Sequence, residues 1–232
     1  FARMAFNLSP VQEVVVERVP ADWIQFAVEL IHDPVSSGKV YPVGTFEALD
    51  WGVGVHPGNS VVVTPAPTLK EDLLEKALSV AGHIAGTMEI CGSFQVRFAL
   101  SPVDDELVVL RVVYGLNRFS SLFSALRSIP LAEINAGLSL GLSFEQLNQK
   151  LDMNGFTVPD NTVTAVRVPI FPDEFSDTQT PDSTMRCTGA AVFVGSNLPV
   201  ALNKSLDYLY LSEDVEPIDS KKGPFKALGE VS

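Results

Sequence analysis

Residues 92–114 have the pattern of a β-hairpin, which restricts the chain to folds that contain an antiparallel sheet. Two apolar, β-branched runs, GSFQVRFALS and ELVVLRVVY, flank the turn segment PVDD, and Pro and Asp are typical turn residues. Each run carries an arginine near its middle, Arg97 or Arg111. Charges seldom lie inside core strands without a partner or a function, so the two arginines mark a candidate site.

The other segments predict an α+β fold, with a mostly antiparallel sheet and helices on its outside. Thr68–Gly86 has the clearest helical spacing of apolar residues. Further strands are expected at Val11–Val19, Trp23–Asp33 and Lys39–Leu49. We predict that Val11–Leu49 and Gly92–Val113 form one sheet, backed by the Thr68–Gly86 helix.

Composition excludes several classes of partner. The net charge of −12 argues against a nucleic-acid binder and against docking on anionic lipid, and no apolar run is long enough to span a bilayer. A hydrophobic content of 46% against 19% charged residues predicts an interface with another domain or chain. The chain has only two cysteines, Cys91 and Cys187, which favours a reducing compartment; a single disulfide between them is the alternative. We expect a cytoplasmic protein, with the mitochondrial matrix as the alternative.

Motifs and spacing assign no reaction. The three histidines, His32, His56 and His83, lack ligand spacing, and the two cysteines are far apart in sequence, so a zinc site is not predicted. The glycines of WGVGVHPGNS are not followed by GK[ST], which excludes a phosphate-binding P-loop there. From the residues alone, the chain is a globular α+β domain.

The order of several blocks resembles the ATP-grasp domain of the large subunit of carbamoyl phosphate synthetase. The blocks are EVVVERVPADWIQFAVELIHD, TFEALDWGVGVHPGNSVVVTPAPTL, CGSFQVRFALSP and VVLRVVYGLNRFSSLFSALRSIPLAEINAGLSLG. The most specific part, GVHPGNSVVVTPAPTL, is similar to the family's His-x-Gly-[Asp/Asn]-Ser loop, strand and Pro-Ala-x-Thr-Leu helix entry. TAVRVPIF and MRCTGAAVFVGSNLPVALNKSL resemble, more weakly, the elements that close that domain.

This resemblance implies the large lobe of an ATP-grasp domain over residues 1–211. The composition of residues 212–232, acidic and then Lys- and Gly-rich, predicts a loose tail. The family's small lobe and its Gly-rich phosphate loop have no counterpart in the printed sequence. We therefore expect this segment to be part of a longer protein.

The resemblance also identifies the positions at which the family binds ATP and magnesium to phosphorylate bicarbonate or carbamate. The family's metal ligands are a Gln or Glu on one hairpin strand and a Glu and an Asn on the next. Arg97, Arg111 and Val113 occupy these three positions here. Guanidinium groups cannot coordinate Mg²⁺ and repel it, so the match implies a domain without metal-dependent catalysis.

Four further positions follow from the same match. His56 and Arg118 match a histidine and an arginine that the family also has. At the other two positions the residue type differs: Arg18 stands where the family has a carboxylate near the adenine hinge, and Gln25 where it has a Glu on the ribose side. We expect no catalytic residue, no metal site and no required cofactor, with ATP left open as a ligand.

We predict that Arg97 and Arg111 project from one sheet face, near Arg118 and opposite the loop of His56. Like charges that face each other need a counter-charge, so the site should hold an anion or a carboxylate of the protein. Two alternatives remain open: a register shifted by one residue, or arginines that reach solvent or pair with an acidic residue.

The interpretation is a degenerate carbamoyl phosphate synthetase-like domain that acts as a binding or structural part of a larger assembly. Its partner would be the remainder of a larger protein or a second chain, with a homo-oligomer as one form of the latter. The alternative is an ATP-dependent ligase subunit whose ATP site is completed by a preceding segment.

Overall fold

A computed structural model describes residues 2–16, 20, 22–36, 38–49, 54–151, 163–172 and 184–211, with the backbone alone at 209–211. The strands are β1 (Ile24–Asp33), β2 (Lys39–Ala48), β3 (Val62–Thr64), β4 (Gly92–Leu100), β5 (Leu107–Tyr114), β6 (Thr164–Ile170) and β7 (Gly189–Gly195). The helices are α1 (Ala2–Leu8), α2 (Glu71–Thr87), α3 (Arg118–Arg127), α4 (Leu131–Ser139), α5 (Phe144–Lys150) and α6 (Leu198–Leu211).

The strands form one seven-stranded sheet in the order β5-β4-β1-β2-β3-β6-β7. Every neighbouring pair is antiparallel, so the predicted α+β fold with a mostly antiparallel sheet is confirmed. This strand order places β4 beside β1, although β2, β3 and α2 lie between them in the sequence. Residues distant in sequence therefore meet on the central strands.

The alternation of side chains along the strands gives the sheet two different faces. On one face, Phe26, Val28, Phe94 and Phe98 pack with the apolar stripe of α2. This confirms the prediction that a helix near Thr68–Gly86 backs the sheet.

The opposite face carries the helices α3, α4 and α5. Ala27, Ile31 and Phe46 of this face pack with apolar residues of these helices, including Phe119 and Phe123 of α3. Gly44 permits this approach, because a Cβ at its position would lie 2.3 Å from Cε1 of Phe123. Helix α4 also packs against the start of β4, where the N–H of Ser93 donates to Oδ1 of Asn135 at 2.8 Å. The polar residues described below lie further along β4 and β5.

The strand predicted at Val11–Val19 is wrong for residues 11–16, which form turns and irregular backbone; residues 17–19 lie outside the described part. Val15 and Val16 are 87% and 85% exposed. A strand is stabilised by pairing and by burial of one face, and neither acts on these valines within the described residues. Local β-propensity was therefore a misleading signal here.

Candidate anion-binding site

Arg97 and Arg111 lie directly opposite each other on β4 and β5, where their Cα atoms are register partners. Both side chains therefore project from the same face of the sheet, as predicted, and the alternative of a shifted register is excluded. A β-bulge between Arg97 and Phe98 follows immediately; bulges bend a strand and redirect its side chains.

The two guanidinium groups differ in their surroundings. Arg97 is half-buried, and burial together with Arg111 and Arg118 lowers its pKa to about 10. It remains protonated at neutral pH. Arg111 is exposed at the edge strand.

A buried carboxylate, Glu29 on β1, lies on the same face and is 0% exposed. Its Oε2 accepts hydrogen bonds from Nε2 of Gln95 at 2.9 Å and from Nδ2 of Asn117 at 3.1 Å. Its Oε1 accepts one from Oγ of Ser120. Burial raises the pKa of Glu29, while these hydrogen bonds and the charge of Arg97 oppose the shift.

Asn117 and Ser120 also form the capping box that begins α3. The side chain of Asn117 accepts from the backbone N–H of Phe119, and Oγ of Ser120 accepts from the N–H of Asn117. The residues that start the helix thus also bind the buried carboxylate. This fixes the first turn of α3, and with it Arg118, against the sheet.

A second pair of arginines, Arg118 and Arg167, lies at the β6 side of the face. Arg167 is buried, donates to the carbonyl of Gly58 at 3.1 Å and lies over the ring of Phe119. The guanidinium of Arg118 has sulfur partners, Met185 and Cys187. Sulfur is a weak acceptor, so a stronger oxygen acceptor could replace these contacts.

His56 lies in the loop beside this second pair, where Cβ of a side chain at Gly58 would meet both His56 and Arg118. Its Nδ1 accepts a hydrogen bond from the backbone N–H of Gly58 at 3.0 Å, which fits a neutral imidazole protonated on Nε2. Burial lowers the pKa of His56, and so do four guanidinium groups, those of Arg97, Arg118, Arg111 and Arg167. All four arginines therefore act on one region.

We expect the pKa of His56, measured by NMR, to lie below its ordinary value near 6.5 and to rise when sulfate is added. In the sulfate-free protein the lowered pKa means that unfolding takes up a proton at this residue. The stability that neutral His56 contributes is fully present above pH 6.5 and is lost as the pH falls towards the lowered value. A His56 resonance that does not respond to sulfate would contradict the placement of the anion.

Of the two remaining predicted residues, Gln25 and Arg18, the structure describes only Gln25. Gln25 lies on the same face of β1 as Glu29 and is 6% exposed, and its Oε1 has no hydrogen-bond partner in the described part of the chain. Arg18 lies outside the described residues. The tail from residue 212 is also outside them.

Glu29, Gln95 and Arg167 were missed at the sequence level. Each is a charged or amide side chain within an apolar strand: QFAVELIH, SFQVRF and TAVRVPI. The signal that singled out Arg97 and Arg111 applies equally to these residues.

Magnesium does not fit the positions that the family resemblance assigns to it. Mg²⁺ requires oxygen ligands, and Arg97, Arg111 and Val113 offer none in their side chains. Among the described residues, no group of three or more His, Cys, Asp or Glu side chains could hold a metal. The chemistry of this face favours an oxyanion, because guanidinium groups bind oxyanions through paired N–H donors.

Comparison with known proteins places the sequence in a family. Residues 1–147 match the model of the carbamoyl-phosphate synthase L chain, ATP binding domain. The carbamoyl phosphate synthase large chain of Agathobacter rectalis is 30% identical over 204 residues, which are 86% of this chain and 19% of that protein. The N-terminal section of the large chain from Methanopyrus kandleri is 29% identical, over 88% of this chain and 36% of that protein.

Solved structures support the fold at low sequence identity. N5-carboxyaminoimidazole ribonucleotide synthetase from Thermotoga maritima has a TM-score of 0.58 at 15% identity, over 84% of this chain and 52% of that one. Biotin carboxylase from Campylobacter jejuni has a TM-score of 0.55 at 13% identity, over 83% of this chain and 45% of that one. None of the helices in the described part has the length and hydropathy of a membrane span.

Proposed function

Because the chain belongs to the carbamoyl-phosphate synthase L chain ATP-binding domain family, we propose that it is a degenerate ATP-grasp domain that binds an oxyanion without magnesium. It performs no metal-dependent phosphoryl transfer and serves as a binding part of a larger protein. The observation that carries this proposal is the direct pairing of Arg97 with Arg111 across β4 and β5. ATP is one candidate for the anion.

The electrostatics of the site support the proposal. Two unit positive charges about 5 Å apart repel by roughly 3 kcal/mol at an effective dielectric constant of about 20. A dianion between them is attracted to both guanidinium groups, and this attraction outweighs their mutual repulsion, whereas both groups repel Mg²⁺. Within a chain of net charge −12, a face with four arginines is a local exception that attracts anions.

Participation in a larger protein is supported by size and by exposed apolar residues. The chain spans 19% and 36% of the two relatives described above. Helix α1 has no buried residue, and Phe6, Leu8, Val15 and Val16 are exposed. We propose that this segment packs against the remainder of a larger protein, with a second chain as the alternative partner.

A second candidate is an ATP-dependent ligase of the carbamoyl phosphate synthetase type, whose ATP site is completed by another segment. The family match and the retained His56 loop favour it. The two candidates differ in turnover, because a ligase releases ADP when its substrates are present.

We expect the full-length protein to release no ADP above background from ATP, Mg²⁺ and bicarbonate. The carbamoyl phosphate synthase large chain of Agathobacter rectalis, assayed in parallel with the same reagents, serves as the positive control. ADP release that depends on Mg²⁺, and that a coupled spectrophotometric assay detects in proportion to enzyme, would favour the ligase over our proposal.

A further inference from the structure

Gln95 lies between a carboxylate and a guanidinium group and contacts both. It is completely buried on β4, where its Cα is the register partner of Glu29. Its Nε2 donates to Oε2 of Glu29 at 2.9 Å, and its Oε1 accepts from Nε of Arg97 at 2.9 Å. The amide nitrogen needs an acceptor and the amide oxygen needs a donor, so only one of the two flipped orientations of the Gln95 amide satisfies both hydrogen bonds.

Glu29 does not pair directly with Arg97. Its two oxygen atoms accept from uncharged donors, those of Gln95, Asn117 and Ser120. No ion pair within 4.0 Å joins Glu29 and Arg97, both of them described residues, unlike Lys70 and Asp105, whose charged atoms lie 3.3 Å apart. The side chain of Gln95 therefore lies between the carboxyl group of Glu29 and the guanidinium group of Arg97.

Arg97 is therefore oriented by Gln95 without a direct ion pair, and Glu29 acts on it only through space. Its Nε is bound to Gln95, whereas its two Nη atoms have no protein acceptor in the described part of the chain. The neighbouring Arg111 has no acceptor there either. A guanidinium group held at Nε presents its Nη edge, which can bind two oxygen atoms of one anion.

We propose that Gln95 is the positioning residue of the anion site, holding Arg97 for a tetrahedral dianion such as sulfate or a phosphate group while separating it from Glu29. This inference rests on the proposed function. Gln95 does not touch the anion; it determines whether the anion or an internal carboxylate occupies the arginine pair. A glutamate at this position would lie against both Glu29 and Arg97. Two adjacent carboxyl groups share one proton, and the remaining negative charge would neutralise Arg97.

Two variants of the full-length protein, Gln95→Met and Gln95→Glu, test the proposal by isothermal titration calorimetry with sulfate, which keeps its charge across the working pH range. Gln95→Met keeps most of the volume and loses both hydrogen bonds, so sulfate affinity should fall about tenfold. Gln95→Glu adds a carboxylate within contact distance of Arg97 and should weaken binding at least about a hundredfold. Lys76→Gln removes one exposed positive charge on α2, at the opposite sheet face, and serves as the control.

The pH dependence separates positioning from a general loss of structure. Protonation of His56 strengthens sulfate binding in every form of the protein as the pH falls, so each variant is compared with the wild type at the same pH. Relative to the wild type, the sulfate affinity of Gln95→Glu should recover as the introduced carboxylate is protonated, whereas the deficit of Gln95→Met should stay constant. Thermal unfolding of each variant verifies that it is folded. If both variants bind sulfate as tightly as the wild type, Gln95 does not position the anion site, although the site itself exists. If the wild type itself binds no sulfate, the proposed function fails, and the inference fails with it.

Discussion

The double variant Arg97→Gln/Arg111→Glu is expected to lose sulfate affinity by at least about a thousandfold. The first substitution removes one positive charge and the second changes the charge by two, so the formal net charge falls from −12 to −15. Each unit of charge about 5 Å from a bound anion contributes roughly 3 kcal/mol per anion charge at an effective dielectric constant of about 20. The expected loss of sulfate affinity therefore exceeds the loss that a more negative net charge of the whole protein would cause.

A variant with the same change in net charge elsewhere provides the control. Lys76→Gln/Lys39→Glu replaces two exposed residues on α2 and at the start of β2, and should change sulfate affinity only slightly, because exposed distant charges are screened. Calorimetric titration of both variants measures the difference. If Arg97→Gln/Arg111→Glu binds sulfate within tenfold of the wild-type affinity, the hairpin does not form the anion site.

The second large effect is expected for Phe119→Ala, which should lower the free energy of unfolding by about 4 kcal/mol. Phe119 is 1% exposed, stacks on Phe46 with ring centroids 4.2 Å apart, and lies 5.6 Å beneath the guanidinium carbon of Arg167. Truncation leaves a cavity under α3 and removes the cation–π contact of a buried arginine. Urea unfolding measures the loss.

Phe26→Ala is the matched control for this effect. Phe26 is equally buried on the α2 face and stacks on Phe98 with centroids 5.2 Å apart. Both variants should be destabilised to a similar degree, but only Phe119→Ala should also weaken sulfate binding, because Arg167 loses its support. A loss below about 1 kcal/mol for Phe119→Ala would show that α3 is not anchored by this ring.

Local patterns in the sequence predicted the strands and helices that form the centre of the fold. The hairpin was evident from apolar runs around a Pro-Asp turn, and its register determined that Arg97 and Arg111 share a face. The amphipathic pattern of Thr68–Gly86 likewise corresponds to α2, Glu71–Thr87. These features depend on residues close together in the chain, so periodicity suffices to find them.

The network around Glu29 depends instead on the order of the strands. Glu29 and Gln95 are 66 positions apart and become neighbours only because β4 pairs with β1. Asn117 joins them because α3 folds back over that face. No local pattern contains this information, and the misleading strand signal at Val11–Val16 has the same origin: propensity does not specify a partner.

Titration of the full-length protein with ATP tests most directly whether the four arginines form an anion site that works without a metal. Calorimetry is performed once with excess EDTA and once with saturating Mg²⁺. We predict that ATP binds more tightly in EDTA, because Mg²⁺ neutralises the phosphate charge that the arginines attract, and that this binding disappears in Arg97→Gln/Arg111→Glu. ATP binding that requires Mg²⁺, or that persists unchanged in the double variant, would contradict the account.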